Sequence, residues 1–239
     1  MHGNPQATTG ARTGLESGSA DTELNLWLAL SAARAHFDRA KLSAEDQLRS
    51  SVQHSAHRRA DFEVSRALLA YVDAGTAAFS HSHSTEHAAL LLGPTDWRVG
   101  VDLELDRPRD VLRLARFGFT EREIELMEAA SAEARSPLFY TLWTLKEAFA
   151  KALGLDLVDA LQQCVFWHDA GKWDGRVPTT ATWGAAVFQP RPGIFLSAAW
   201  IGGSSPARLQ QWEWPPKQRA DWPLIASASG PAVADAARA

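Results

Sequence analysis

Arg98-Val-Gly-Val-Asp-Leu-Glu-Leu-Asp106 decides how this chain is read, together with Trp143-Thr-Leu-Lys-Glu-Ala-Phe-Ala-Lys151 further on. The first stretch alternates apolar and polar side chains, the pattern of a strand with one buried face. Residues i and i+2 of a strand share a face, about 7 Å apart. Asp102 and Glu104 therefore point one way, and Val101, Leu103 and Leu105 the other. Two carboxylates so placed make a platform for a divalent cation; the same alternation also describes a half-buried strand with solvated acids. The second stretch reads as a helix, with Trp143, Glu147 and Lys151 at i, i+4 and i+8 on one stripe. Alone, Glu147 and Lys151 are an ordinary exposed i,i+4 pair. The tryptophan turns that stripe toward protein, and Lys146 puts a second lysine beside the carboxylate. In the functional reading Asp102, Glu104 and Glu147 hold Mg²⁺, and Lys151 neutralises charge on a transferring phosphoryl group.

Around these stretches the chain mixes both kinds of element. Helices are predicted at 110–117, at Thr120–Ala130 and at Ser136–Leu153. Thr120 and Glu123 have capping-box spacing, Pro137 suits a first helical turn, and Gly154 suits a helix end. Strands follow at Cys164–His168, Trp183–Gln189 and Ile194–Trp200, each bounded by turn residues. On the other side, Leu24–Leu30 reads as a strand and Ser43–Val72 as helix. Ala78–Ser84 and Leu90–Leu92 read as strands, with Gly93-Pro94 as a turn. The expected class is α+β in two similar halves. The expected division is a disordered leader at 1–20, an N-terminal half at 21–98, a C-terminal half with the metal site at 99–201, and a loosely ordered tail at 202–239. No repeat is visible in the residues themselves.

Three further groups invite a ligand. His81, His83 and His87 stand within seven residues of one another. They permit a zinc reading, without the cysteine pairs or His-Glu-x-x-His pattern that zinc sites usually bring. The hydroxyls that alternate with them suit phosphate oxygens instead. Arg109, Arg113 and Arg116 form a basic stripe just after the carboxylate strand, and Arg58, Arg59 and Arg66 form a second basic group on the first-half helix. Either could be a solvated helix face.

The bulk numbers set limits. With 46% hydrophobic and 22% charged residues, the 239-residue chain can bury a real core. A net charge of −4 offers no global attraction to nucleic acid or to an anionic membrane, so neither is expected as a partner. The single cysteine, Cys164, excludes an internal disulfide and suits a reducing compartment. The first residues have no apolar signal-like run, and no stretch approaches the roughly 20 apolar residues of a membrane span. A soluble cytoplasmic protein is expected.

Taken in order, these segments resemble the Sfp-type 4′-phosphopantetheinyl transferases. The motifs are Ser82-His83, Gly100-Val-Asp-Leu-Glu104, Phe119-Thr-Glu-Arg-Glu123 and Trp143-Thr-Leu-Lys-Glu-Ala-Phe-Ala-Lys151. The likeness covers about 79–154 and is absent from the tails. It implies two similar α+β halves about a pseudo-twofold axis, with coenzyme A in the cleft between them. It also implies a monomer that moves the phosphopantetheine arm of coenzyme A onto a serine of an acidic apo acyl or peptidyl carrier protein, releasing adenosine 3′,5′-bisphosphate. By position, Asp102, Glu104 and Glu147 would bind Mg²⁺, and Glu123 would serve as the base for the serine hydroxyl. Lys151 would stabilise the phosphoryl charge. Ser82 and His83 would hold nucleotide phosphates, with Lys146 as a phosphate neighbour. The chain departs from the family before the Ser-His strand, where a Gly-Lys-Pro or Gly-Arg-Pro segment is usual. The missing basic contact would then fall to Arg58, Arg59 or Arg66. A non-catalytic coenzyme A or nucleotide-binding protein of the same fold is the alternative, against which the intact Glu123 and Lys151 speak.

Overall fold

Leu24, Leu26 and Leu28 are buried on one face of the first strand, β1 (Thr22–Ala29), and Trp27 and Ala29 on the other. A strand apolar on both sides needs cover on both sides. In the computed structural model, which describes residues 22–51, 55–203 and 207–231, β1 is the central strand of a five-stranded sheet. From edge to edge this sheet runs β10 (Gln218–Arg219), β9 (Ala207–Trp214), β1, β3 (His87–Gly93) and β2 (Ala78–Ser84). A second sheet runs β11 (Leu224–Gly230), β7 (Trp183–Phe188), β8 (Ile194–Ile201) and β4 (Arg98–Leu105). β5 (Val165–Asp169) and β6 (Lys172–Arg176) form a separate hairpin. Among the described residues the α-helices are α1 (Ala44–Ser51), α2 (Ala56–Tyr71), α3 (Val111–Gly118), α4 (Glu121–Ala129), α5 (Ala132–Leu153) and α6 (Leu157–Gln163).

The core is layered helix–sheet–sheet–helix. α2 covers the Trp27 face of the first sheet through Val64, Ala67 and Leu68. Leu24, Leu26 and Leu28 pack with Val101, Leu103, Leu196 and Ala198 between the two sheets. Leu145 and Phe149 of α5 cover the far side of the second sheet against Ala185, Val187 and Phe195. The expected α+β class is what the chain forms. The strand order also repeats. β1, α2, β2 and β3 give the order first–third–second strand, and so do β4, α5, β7 and β8, with antiparallel neighbours in both cases. This repetition lies in the topology and not in the residues.

Three expectations differ from the structure. α5 begins at Ala132, four residues earlier than its proline suggests, because Ser131 caps it by accepting a hydrogen bond from the Ala134 amide. Pro137 therefore lies inside the helix, which forgoes one backbone hydrogen bond there. α6 and β6 were not anticipated at all. The segment from 202, expected to be loose, supplies β9, β10 and β11. β9 pairs in parallel with the whole length of β1, from Thr22 opposite Ala207 to Ala29 opposite Trp214, and β11 pairs antiparallel with β7. Parallel pairing between residues so far apart leaves no local signal in the sequence. The expected leader at 1–20 and the last residues, 232–239, lie outside the described residues.

Candidate active site

The two sheets present their edge strands to each other. β2 ends the first sheet and β4 ends the second. Alternate serines of β2 stitch the seam. Ser80 Oγ accepts from the Val101 amide at 3.1 Å, Ser82 Oγ donates to Asp102 Oδ1 at 2.9 Å, and Ser84 Oγ donates to Glu104 Oε2 at 3.1 Å. The serines therefore hold the carboxylate strand itself.

α5 lies directly on this strand. A Cβ added at Gly100 would stand 1.9 Å from the carbonyl oxygen of Ala148, so only glycine permits the helix backbone to come so close. The contact carries Glu147 and Lys151 to the face of β4 that bears Asp102. Lys151 Nζ donates to Asp102 Oδ1 at 2.9 Å and to the Val101 carbonyl at 2.8 Å. Trp143, on the same stripe, packs its ring against Phe119 and Phe139, which holds the stripe against protein.

The three carboxylates converge. Glu147 lies beside Asp102, close enough that a hydrogen bond between the two needs one carboxyl protonated. Burial first, then that charge and hydrogen bond, push Glu147 up to about 8, with Glu104 adding to the rise and Lys151 opposing it. Glu104 is raised as well, by burial and then by Asp102, and is partly relieved by Ser84, Arg107 and Arg109. Asp102 is buried, and its Oδ2 has no hydrogen-bond partner. Crowded carboxylates with one orphaned buried oxygen fit a hard divalent cation. Among the described residues no three Asp, Glu, His or Cys side chains are arranged so that they could hold a metal ion as they stand. The Lys151 ammonium is bonded into the cluster through Asp102 Oδ1.

The other expected site residues divide. Ser82 is at the cluster, as described. His81 and His83 alternate with the serines and so point off the opposite face of β2. Burial, then the charges of Arg66, His83 and Lys151, lower His81 to about 4, so its imidazole is neutral at pH 7. His87 lies on β3 with Nδ1 2.6 Å from the Thr85 carbonyl, and the three histidines form no zinc set. Arg66 Nε lies 2.9 Å from Asp46 Oδ1, and its guanidinium covers the Phe62 ring. Arg58 and Arg59 lie exposed in the first turn of α2. Of these three arginines, Arg66 is the one whose charge acts on His81.

Glu123 and Lys146 are not brought to the carboxylates. Both side chains are wholly buried and pair with each other at 2.9 Å. Every Glu123 oxygen is committed. Oε1 accepts from the Phe166 amide at 2.9 Å, and Oε2 from the Thr120 amide at 3.0 Å and hydroxyl at 2.8 Å. A carboxylate so enclosed cannot meet a substrate hydroxyl, and the enclosed ammonium cannot meet a phosphate. The signals were in the sequence. A capping-box glutamate is already bound to its own helix start, and Lys146 is turned about 100° from Glu147 on an α-helix. Sequence reasoning missed Arg107. Its guanidinium bonds the Thr85 hydroxyl, its amide donates to the Tyr140 hydroxyl at 3.1 Å, and its charge acts on Glu104. The dense Arg107-Pro-Arg109 run after the strand was the available clue.

Residues 98–183 match the family model of the 4′-phosphopantetheinyl transferase superfamily. The chain is 39% identical over 77 residues to the 4′-phosphopantetheinyl transferase HetI of Nostoc, covering 32% of each chain. It is 43% identical over 77 residues to the 4′-phosphopantetheinyl transferase AcpT of Salmonella typhi, covering 32% of this chain and 40% of that one. It is 37% identical over 95 residues to the L-aminoadipate-semialdehyde dehydrogenase-phosphopantetheinyl transferase of Xenopus laevis, covering 37% of this chain and 31% of that one. The chain thus spans between 31% and 40% of the length of these curated relatives. The resemblance is borne out at the level of the superfamily over a range that holds three of the four motifs; Ser82-His83 lies outside it.

Proposed function

We propose that this chain, whose residues 98–183 match the 4′-phosphopantetheinyl transferase superfamily, transfers the 4′-phosphopantetheine arm of coenzyme A to a serine of an apo carrier protein. The observation that carries the reading is the meeting of Glu147 and Lys151 from α5 with Asp102 and Glu104 from β4, where the edges of the two sheets run side by side. Asp102, Glu104 and Glu147 would hold Mg²⁺, which supplies charge neutralisation to a pyrophosphate. Lys151 stands where charge would build on phosphoryl oxygens; Ser82 of β2 is bonded to Asp102, and His83 follows it on the opposite face of β2. Arg107 adds a cation beside Glu104. In the reaction the serine Oγ forms a bond to phosphorus, the bond to the leaving phosphate breaks, and adenosine 3′,5′-bisphosphate departs. The serine proton would pass to solvent water, since Glu123 is enclosed and every one of its oxygens is already bonded. Phosphoryl transfer depends mainly on positioning and charge neutralisation, which these residues offer.

The finer reading is an Sfp-type monomer, its halves related by a pseudo-twofold axis. The repeated strand order of the two sheets supports this. Among the described residues no helix is long and apolar enough to cross a membrane. With its one buried cysteine, the protein would act in the cytoplasm on an acidic carrier. The carrier would dock on α3. There Arg116 is already paired with Glu128 at 2.5 Å, leaving Arg109 and Arg113 beside exposed Leu114 and Phe117.

The test is intact-mass analysis of a panel of apo carrier proteins incubated with coenzyme A and Mg²⁺. One phosphopantetheine should be gained per carrier, lost with EDTA, restored by Mg²⁺, and absent with Asp102→Ala. Coenzyme A binding without any mass gain would favour the non-catalytic alternative instead.

A further inference from the structure

Glu123 and Lys146 have no part in the scheme above, yet they are among the most enclosed charged groups in the protein. A lysine ammonium has three donors, and Lys146 uses all of them. They go to Glu123 Oε2 at 2.9 Å, the Leu161 carbonyl at 2.6 Å and the Cys164 carbonyl at 2.5 Å. Through Glu123 the network continues to Thr120 at the start of α4 and to Phe166 in β5. One ion pair thus ties α5 to α4, to the C-terminal end of α6 and to β5.

Lys146 is the residue just before Glu147. On its sheet side α5 rests on Gly100 through Ala148, and Thr144 Oγ1 meets Ser197 Oγ of β8 at 2.6 Å. The helix is therefore gripped from the sheet and, across its other side, by the buried pair. Freed on that side, α5 could turn about its axis, and Glu147 would swing away from Asp102. Buried ion pairs add little net stability, and their best-attested use is to specify one arrangement over others.

We propose that Glu123 and Lys146 are positioning residues that set the rotation of α5 and hence the reach of Glu147 to Asp102 and Glu104. They touch neither substrate nor metal. The inference rests on reading those three carboxylates as the cation site.

The experiment measures Mn²⁺ binding by electron paramagnetic resonance for the parent, for Glu123→Gln, and for the double variant Glu123→Gln/Lys146→Met. Carrier loading is followed in parallel at rising Mg²⁺. Both variants should bind Mn²⁺ about tenfold more weakly. The Mg²⁺ needed for half-maximal loading should rise by a similar factor, and kcat at saturating Mg²⁺ should return to within about threefold of the parent. Should Glu123→Gln not fold, the neutral double variant decides, since it leaves no charge unpaired. Unchanged Mn²⁺ affinity in the folded double variant overturns the proposal. So does a loss of kcat on the order of 100-fold that saturating Mg²⁺ does not restore, since that would make Glu123 a proton carrier. A parent that binds Mn²⁺ but loads no carrier ends the transferase reading, while the Mn²⁺ shift still decides this one. A parent that binds no Mn²⁺ sinks both.

Discussion

At the scale of single residues, the carboxylate cluster sets a conflict that pH can expose. Glu147 is raised from its ordinary value to about 8, first by burial and then by Asp102. A carboxyl whose folded pKa lies above its unfolded one favours the fold while protonated. That contribution is whole below the unfolded value, near 4.5, and is lost as pH climbs through about 8. In chelator the metal-free protein should therefore lose thermal stability between roughly pH 5 and pH 8. Glu147→Gln should flatten that slope and leave the protein more stable than the parent at pH 8.5. Melting curves in EDTA at pH 5.5 and pH 8.5 decide it; parallel slopes in parent and variant would remove the crowding argument. With Mg²⁺ present the parent should regain stability at the high-pH end, since bound cation favours the native state.

At the scale of elements, the site is a contact between one helix and one strand. Gly100→Ala would drive a methyl group into the Ala148 carbonyl, so α5 must lift from β4 or the strand must bend. Overpacking of this kind costs about 1–3 kcal/mol. Because the displaced pieces carry all three carboxylates, loading activity should fall much further than stability does. A Gly100→Ala protein that melts only a few degrees lower yet keeps full activity would show that the close approach does not build the site. α3 makes a second element-scale claim. Arg113 is exposed there beside Phe117, which is 93% exposed. Arg113→Glu should raise the KM for carrier about tenfold and leave the KM for coenzyme A unchanged. Equal effects on both would move the docking surface elsewhere.

At the scale of the whole molecule, the chain closes on itself. β9 returns to lie along β1, and its Trp212 stacks on Trp27 with centroids 5.4 Å apart. Trp222 joins the core between the sheets. A chain ending at 202 would lose β9, β10 and β11, leaving one side of β1 unpaired and its neighbouring aromatics bare. Such a truncation should be recovered aggregated, or without a cooperative melting transition. A soluble, cooperatively folding product would show that the closing strands are dispensable. The same scale accounts for Glu123 and Lys146. Each reads in sequence as part of an active motif, but only the packing of α4, α5, α6 and β5 encloses them together.

Local pattern alone was enough for much of this protein. Alternation put Asp102 and Glu104 on one face of a strand, helical spacing put Glu147 and Lys151 on one stripe, and Gly154 marked where that helix ends with φ 69°. These follow from periods of two and 3.6 residues, which the backbone imposes wherever the segment lies. Three things needed the tertiary structure: that the two faces meet, that serines of another sheet's edge strand hold the carboxylates, and that the last strands pair with the first. Each joins residues far apart in the chain, and their proximity is settled by packing, which no short window of sequence records.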